Sequence, residues 1–301
     1  KTMKKINIIL IISWFFLSLS VCAEETISTD SRLSMGFYYP PLSNISNKTD
    51  IQVSLNYWVT ELTSSSGLKN VSSHLFDDIV SLKSAFETGE IDMVIAPPLL
   101  LSIFFNKELL HEGFVGVQVS HKMDNLLIIS REGMKKNDTI YSGKRLLLPK
   151  NDLFAKYYLD ADVISKHHKS SKLVFSQIKE MTKNQRIILA LFFNKADVGV
   201  VYESALEIMI ELNPQIASRI NVLKRFPIKS RNYAYFHRDF PYKQQLRARA
   251  HEFSSQTRGK QILEVFHATE IDSCKVKDLQ PFEDFYKNYQ QLKKAQNDSK
   301  I

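Results

Sequence analysis

The chain contains few cysteines and few glycines, which argues against a disulfide-stabilised fold and a glycine-rich phosphate loop. Its 301 residues include two cysteines and nine glycines. Cys22 lies in an apolar N-terminal segment that we expect to be removed. Cys274 is then alone, which excludes an internal disulfide and leaves the fold dependent on a hydrophobic core. No glycine-rich phosphate loop of the P-loop or dinucleotide type is present.

Motifs that carry catalysis or bind metals are also missing. The sequence has neither G-x-S-x-G nor H-E-x-x-H. The one histidine pair, His167 and His168, lies in a lysine-rich stretch with Asp160 and Asp162 on its N-terminal side. A metal site requires a further ligand at suitable spacing, so we interpret the pair as a solvated turn. We predict a protein that is not an enzyme and that uses no metal or cofactor.

The charged residues exclude a second class of function. The formal net charge is +8, but the lysines are scattered along the chain. A protein that binds nucleic acid shows basic residues clustered on one face, so no nucleic-acid partner is predicted. The hydrophobic fraction of 44% is sufficient for a core, and the length suits one or two domains.

The first residues have the pattern of an export signal. Lys4 and Lys5 precede an apolar run from Ile8 to Leu19, and Val21-Cys22-Ala23 ends it before two glutamates. A charged start, an apolar run of roughly 7–15 residues and small residues at its end are typical of a signal peptide. A membrane span needs about 20 apolar residues. We predict that residues 1–23 are cleaved and that the mature protein is periplasmic, with a retained membrane anchor as the alternative.

The next part of the chain alternates between strand and helix patterns. The predicted strands are Arg32–Tyr39, Val71–Phe76 and Asp92–Ala96, and the predicted helices between them are Asp50–Leu62 and Ile79–Thr88. Pro97-Pro98 is predicted to open a loop. Strands and helices that alternate with short connections are typical of a parallel sheet covered by helices.

The pattern repeats in the middle of the chain. Short strands are predicted at Arg145–Leu148, Leu173–Phe175 and Ala196–Tyr202, and the strand Tyr233–His237 follows a basic stretch. From Pro241 onward the pattern predicts helices. We predict an α/β protein of two lobes, with residues 24–116 and 226–301 in lobe 1 and 117–225 in lobe 2. Two crossing segments, near 112–121 and 224–233, would form a hinge.

Several segments together resemble a known family. They are Phe86–Pro98 (FETGEIDMVIAPP), Gly143–Arg145, Phe193–Val201 (FNKADVGVV) and Val222–Ile228 (VLKRFPI). Their order and spacing resemble the phosphate/phosphite/phosphonate-binding family of type II periplasmic solute-binding proteins. The resemblance implies a two-lobed clamp that closes on a small ligand and presents it to an ABC-type permease.

The resemblance fails at the position that would hold an anion. In that family a helix of the second lobe opens with Ser or Thr residues, which hold an anionic headgroup at the helix N-terminus. Here the helix opens with Asn151-Asp152. Because Asp152 would cap the helix and repel a phosphonate, the resemblance supports the fold and leaves the ligand open.

Ligands of open α/β sheets bind beyond the carboxyl ends of the strands. The candidate ligand-binding residues at such ends are Tyr38, Tyr39, Pro98, Asn151, Asp152, Tyr202, Glu203 and Ser204. Asp197 is added because the resemblance implies a ligand acceptor there, although it can equally be a solvated residue that starts a strand. Glu203 or Ser204 can also be a simple helix cap.

We therefore predict a monomeric periplasmic solute-binding protein that captures a small ligand for an ABC-type membrane permease. Anions are among the candidate ligands. The first alternative is a ligand sensor that reports to a histidine kinase or another envelope protein. The second is a periplasmic enzyme on the same fold. A basic set around the second crossing, Lys224, Arg225, Lys229, Arg231 and Arg238, would supply an anion-binding side chain or form ordinary surface.

Overall fold

The computed structural model describes residues 31–38, 48–64, 68, 70–117, 124–134, 140–228, 232–265 and 268–298. The predicted signal peptide and Tyr39 lie outside the described residues. Within these ranges, no helix combines the length and the apolar character that a membrane crossing requires.

The first lobe is built on a six-stranded sheet. Its N-terminal part is β1 (Arg32–Phe37), α1 (Lys48–Ser64), β2 (Asn70–Leu75), α2 (Ile79–Glu87), β3 (Met93–Ala96), α3 (Pro98–Phe104) and β4 (Leu110–Val117). The chain later returns with β10 (Tyr233–His237), α9 (Lys243–Ser255), α10 (Thr257–Val265) and β11 (Glu270–Cys274). The strand order is β11-β4-β10-β3-β1-β2, in which β1 pairs in parallel with β2 and β3.

The second lobe is built on a five-stranded sheet. It contains β5 (Asp124–Arg131), β6 (Arg145–Pro149), α4 (Leu153–His167), α5 (Ser171–Val174), β7 (Gln177–Met181), α6 (Asn184–Phe192), β8 (Val198–Tyr202), α7 (Glu203–Leu212), α8 (Gln215–Arg219) and β9 (Ile220–Ile228). The order is β7-β6-β8-β5-β9. A 3₁₀ turn (Val276–Leu279) and α11 (Gln280–Asp298) complete the chain as described.

Local sequence explains where these elements begin and how closely they pack. Asp78 caps α2, and the buried Ile79, Leu82 and Phe86 form the apolar face of this helix. The five residues of β8 are all buried, as expected for a central strand covered on both faces. A Cβ at Gly199 would lie 2.5 Å from Ile187 Cγ2, so glycine lets α6 approach the sheet closely.

Three predicted features are corrected. Leu173–Phe175 was predicted as a strand, but residues 171–174 form α5 and the strand follows at Gln177–Met181 on the exposed edge of the sheet. The loop predicted after Pro97 is the helix α3, because a proline fits the first position of a helix. The helical pattern predicted beyond Pro241 is interrupted by β11, which pairs with β4.

Helices cover both faces of each sheet. In lobe 1, α1, α9 and α10 pack on one face, and α2 and α3 on the other. In lobe 2, α6, α7 and α8 cover one face, while α4 covers the opposite face. One cluster of buried residues runs from the α2 face of lobe 1 to the α4 face of lobe 2. The two sheets therefore share a continuous apolar core.

The predicted lobe boundaries remain predictions. The chain passes from β4 to β5 and returns from β9 to β10, which agrees with two crossings between the sheets. β9 stays paired with β5 as far as Ile228 opposite Asp124. Residues 226–228 therefore belong to the second sheet, although the predicted boundary assigns them to lobe 1.

Candidate interlobe binding site

The candidate residues of lobe 1 lie where β1 and β3 end. The backbone N–H of Tyr38 donates to Ile95 O at 2.9 Å, which holds this residue beside β3. Its ring is half-buried against the core, and burial, together with the negative charge of Asp78, raises the pKa of the phenol. Pro98 is buried at the first position of α3. Tyr38 is thus the lobe-1 candidate with a polar group near the strand ends.

In lobe 2, Asp152 connects two neighbouring strand ends. Its Oδ1 accepts the N–H of Ala155 at 2.9 Å and thereby caps α4. Its Oδ2 accepts the hydroxyl of Tyr202, the last residue of β8, at 2.7 Å. Asn151 precedes it in the left-handed region (φ 58°), which asparagine tolerates better than most residues. The structure therefore brings Asn151, Asp152 and Tyr202 together.

A second aspartate, absent from the sequence prediction, caps α7. Asp124 Oδ1 accepts the N–H of Ser204 at 3.1 Å, and its Oδ2 accepts the Ser204 hydroxyl at 3.0 Å. Asp124 is the first residue of β5, which runs antiparallel to β8, so it lies at the same edge as the end of β8. Because 80 residues separate it from Ser204, only the antiparallel register reveals the cap.

Glu203, at the first position of α7, is engaged in polar contacts within lobe 2. It accepts a hydrogen bond from Asn125 Nδ2, and Arg225 Nη1 lies 3.0 Å from its Oε1. The exposed Lys224 is likewise paired, with its Nζ 2.8 Å from Oδ1 of the buried Asp162. Two members of the basic set near the second crossing are therefore paired with carboxylates of the chain.

The helix that starts beside Tyr38 has the same kind of cap. Asp78 Oδ1 accepts the N–H of Ser81 at 2.8 Å, and Oδ2 accepts the Ser81 hydroxyl at 2.7 Å. These hydrogen bonds hold the pKa of Asp78 below its usual value, with the backbone bond as the larger cause. Three helices thus have an aspartate side chain at the N-terminus: α2, which follows a strand of the first sheet, and α4 and α7, which follow strands of the second.

Asp197 is not brought together with Asp152 and Tyr202. It precedes β8, whereas Tyr202 ends it, and five residues of strand span about 16 Å. Arg131 Nε donates to its Oδ1 at 2.8 Å and Arg145 Nε to its Oδ2 at 2.9 Å. Burial alone would raise its pKa, but the hydrogen bonds from both arginines hold it far below the usual range. Asp197 thus stands at the start of a strand, as the alternative expects, but it is buried and not solvated. Its role as a ligand acceptor stays a prediction.

The histidine pair lies at a helix end. His167 is the last residue of α4, and His168 caps it with a left-handed backbone (φ 52°) and an N–H that donates to Ile164 O at 2.9 Å. In the part of the chain that the structure describes, no three His, Cys, Asp or Glu side chains are grouped as a metal site requires.

A cavity of about 450 Å³ lies beside the second crossing. Its walls are Pro227, Ile228, Tyr233, Lys277, Asp278, Gln280, Pro281, Phe282 and Asp284. None of the candidate residues that the structure describes is among them. A solute in this cavity would contact residues of β9, β10, the 3₁₀ turn and α11.

The two sheets and the helices that begin at their strand ends define a two-lobed type II periplasmic binding protein. The family model described as "ABC transporter, phosphonate, periplasmic substrate-binding protein" matches residues 45–279. The chain belongs to this family and is a solute-binding protein. A comparison with curated proteins gives no match.

Solved structures share the fold at low sequence identity. A binding-protein component of an ABC phosphonate transporter from Pseudomonas aeruginosa has a TM-score of 0.61 at 13% identity, covering 89% of each chain. A protein from Xanthomonas citri bound to ATP has a TM-score of 0.60 at 13% identity, covering 88% of this chain and 99% of that one. A Prochlorococcus marinus protein in complex with methylphosphonate has a TM-score of 0.59 at 14% identity, covering 86% and 98%.

Proposed function

We propose that the protein is exported to the periplasm by its N-terminal segment, acts there as a monomer, and captures a small solute between the two lobes for an ABC-type membrane permease. The observation that carries the site is the Asp152–Tyr202 pair at the ends of β6 and β8. It gives lobe 2 a fixed set of polar atoms at the edge where α/β sheets bind ligands. Tyr38 supplies the polar group of lobe 1, and Tyr39, next in the chain, is proposed as a further contact.

The aspartate caps restrict the solute that this site would accept. Two of the similar structures above are bound to ATP and to methylphosphonate, both of which are anions. Here the N-termini of α4 and α7 are occupied by Asp152 and Asp124. Two like unit charges 4 Å apart repel by about 4 kcal/mol at the effective dielectric of a protein surface. We therefore propose a solute that presents hydrogen-bond donors, such as an amine, amide or hydroxyl group, to Asp152.

A thermal-shift screen of the purified mature protein tests both the capture of a solute and the proposed class of solute. The panel contains methylphosphonate, phosphate and sulfate, together with amino acids, amines and polyols. A ligand at 100 times its Kd stabilises the folded state by about 2.7 kcal/mol and raises the Tm. We expect a donor-bearing class to raise the Tm and methylphosphonate to leave it unchanged. No shift with any class would contradict capture, whereas a shift with methylphosphonate alone would contradict only the ligand class.

The aspartate caps also favour a second candidate, a sensor that reports to a histidine kinase. A helix N-terminus that carries its own carboxylate is poorly suited to collecting a phosphonate nutrient. The partner separates the two candidates. A reconstituted permease whose ATPase activity rises with the loaded protein would support transport, and a kinase whose autophosphorylation responds to it would support sensing.

A further inference from the structure

The C-terminal helix α11 contacts both lobes. It follows β11 and the 3₁₀ turn of lobe 1 and packs beside α3. Lys107, in the connection after α3, forms an ion pair with Glu283 in the first turn of α11. The same helix also packs on α4 of lobe 2. The helix is therefore a third link between the lobes, beside the two chain crossings.

Aromatic rings make up most of this link. The ring centroid of Phe282 lies 6.0 Å from that of Tyr233 in lobe 1 and 5.5 Å from that of Phe154 in lobe 2. One turn along, Phe285 lies 5.5 Å from Phe154 and 5.7 Å from Phe226. Phe154 is in the first turn of α4, close to the Asp152 cap. The link thus reaches the edge of lobe 2 that carries the candidate site.

The far end of the contact is fixed by a stacked pair and a buried hydrogen bond. The rings of Tyr157 on α4 and Tyr289 on α11 stack with centroids 4.9 Å apart. The Tyr289 hydroxyl donates to Asp160 Oδ2 at 3.0 Å, and the backbone N–H of Ser171 donates to Asp160 Oδ1 at 2.7 Å. Asp160 is only 6% exposed. Withdrawing Tyr289 would leave this carboxylate with less hydrogen bonding in an apolar setting.

We propose that α11 is a strap that holds the lobes together in the solute-free protein. If the lobes separate while α11 stays on α3, Phe154 and the Tyr157–Tyr289 stack become exposed to water and Asp160 loses a donor. If α11 stays on α4, the contacts with α3 and the Lys107–Glu283 pair are lost instead. Either path exposes apolar surface that the described arrangement buries, so the strap shifts the population towards molecules with the lobes held together.

The role of the strap in solute capture rests on the proposed function. The apparent affinity of a clamp scales with the fraction of molecules in the binding-competent state. A strap that keeps the lobes close would raise that fraction before the solute arrives. The existence of the strap can be tested without any solute, so that its failure and the failure of the proposed function are separate results.

The test measures the distance between the lobes in the full solute-free chain. Spin labels are placed at Val80→Cys on α2 and Leu212→Cys on α7, which are 61% and 75% exposed. Cys22 is replaced by serine, and Cys274 is fully buried. The distribution of distances between the two spin labels is then measured by double electron–electron resonance. It is compared for the labelled parent chain, Phe285→Ala and Tyr289→Phe. Phe114→Ala is the matched control, since Phe114 is also half-buried but packs on Phe236 inside lobe 1.

We expect Phe285→Ala to shift the distribution to longer distances or to add a longer population. Tyr289→Phe, which removes only the hydroxyl, should shift it less in the same direction, and Phe114→Ala should leave it unchanged. If Phe285→Ala does not fold, Tyr289→Phe and Asp160→Asn decide the question. Folded variants of α11 whose distributions match the parent chain would overturn the proposal, and so would an equal shift in the Phe114→Ala control.

Discussion

Tyr202 donates a hydrogen bond of 2.7 Å to Asp152, and this bond joins the end of β8 to the start of α4. Asp152 uses its other oxygen to cap α4. The two residues are 50 positions apart in the chain, and adjacent parallel strands bring them to one edge. The bond fixes the direction of the carboxylate, so the fold determines the position of the acceptor that we propose for the solute.

Substituting Tyr202 and substituting Asp152 should destabilise lobe 2 by different amounts. Tyr202→Phe deletes one hydrogen bond and should lower the free energy of unfolding by about 1 kcal/mol. Asp152→Ala also deletes the cap of α4, which adds about 1 kcal/mol. Denaturant titration followed by circular dichroism measures both losses. Equal losses in the two variants would show that Asp152 contributes nothing beyond its bond to Tyr202.

Substitutions at the cap of α7 should also lower the free energy of unfolding by different amounts. Asp124→Ala removes the acceptor of both the Ser204 N–H and the Ser204 hydroxyl. It should cost about 1 kcal/mol in the free energy of unfolding. Ser204→Ala retains the backbone bond and should cost less. Equilibrium unfolding of the two variants distinguishes these values, and a larger loss for Ser204→Ala would contradict the assignment of Asp124 as the cap.

The sequence was sufficient for elements whose evidence is local. The strand β8 contains three valines, a glycine and a tyrosine, and α2 shows apolar residues at helical spacing. The position of Asp152 at the start of α4 also followed from its place after a predicted strand. Each of these features depends on residues within about one helical turn of each other.

Features that depend on long-range register could not be obtained from the sequence. Asp124 caps α7 only because β5 runs antiparallel to β8. The pattern Glu270–Cys274 has no strong alternation, and it becomes a strand because β4 offers it an unpaired edge. The contacts of Phe285 with α4 follow from the packing of two lobes, and no local pattern distinguishes them from contacts within a single lobe.

Asp197 should control stability in acid without affecting solute binding. Its pKa is held below the ordinary value of 3.8 in the folded state by Arg145 and Arg131. A lowered folded-state pKa contributes stability that is fully present above the unfolded value and is lost as the pH falls through the folded one. The free energy of unfolding should therefore decline below about pH 4, as the unfolded carboxyl takes up its proton first.

Asp197→Asn tests this account. The variant should be less stable at pH 7 by about 2 kcal/mol, since it loses charged hydrogen bonds in a buried position. It should also show a smaller decline of stability below pH 4 than the wild type. Denaturant titration across pH 2–7 measures the difference. A ligand that raises the Tm of the wild type should raise that of Asp197→Asn equally. Loss of this Tm shift in the variant would indicate that Asp197 contacts the ligand.

Asp152 should determine which ligands the interlobe site rejects. Asp152→Ser retains a side chain that can cap α4 but removes the negative charge from the helix N-terminus. The helix can then stabilise an anion, and affinity for methylphosphonate should rise by at least about tenfold, or 1.4 kcal/mol. Calorimetric titration of wild type and variant measures this gain.

Asp239→Asn is the control, because it removes one negative charge from a position that is 72% exposed and follows β10. An equal gain in both variants would mean that net charge alone sets the affinity, and no gain in Asp152→Ser would show that the α4 terminus does not contact the solute.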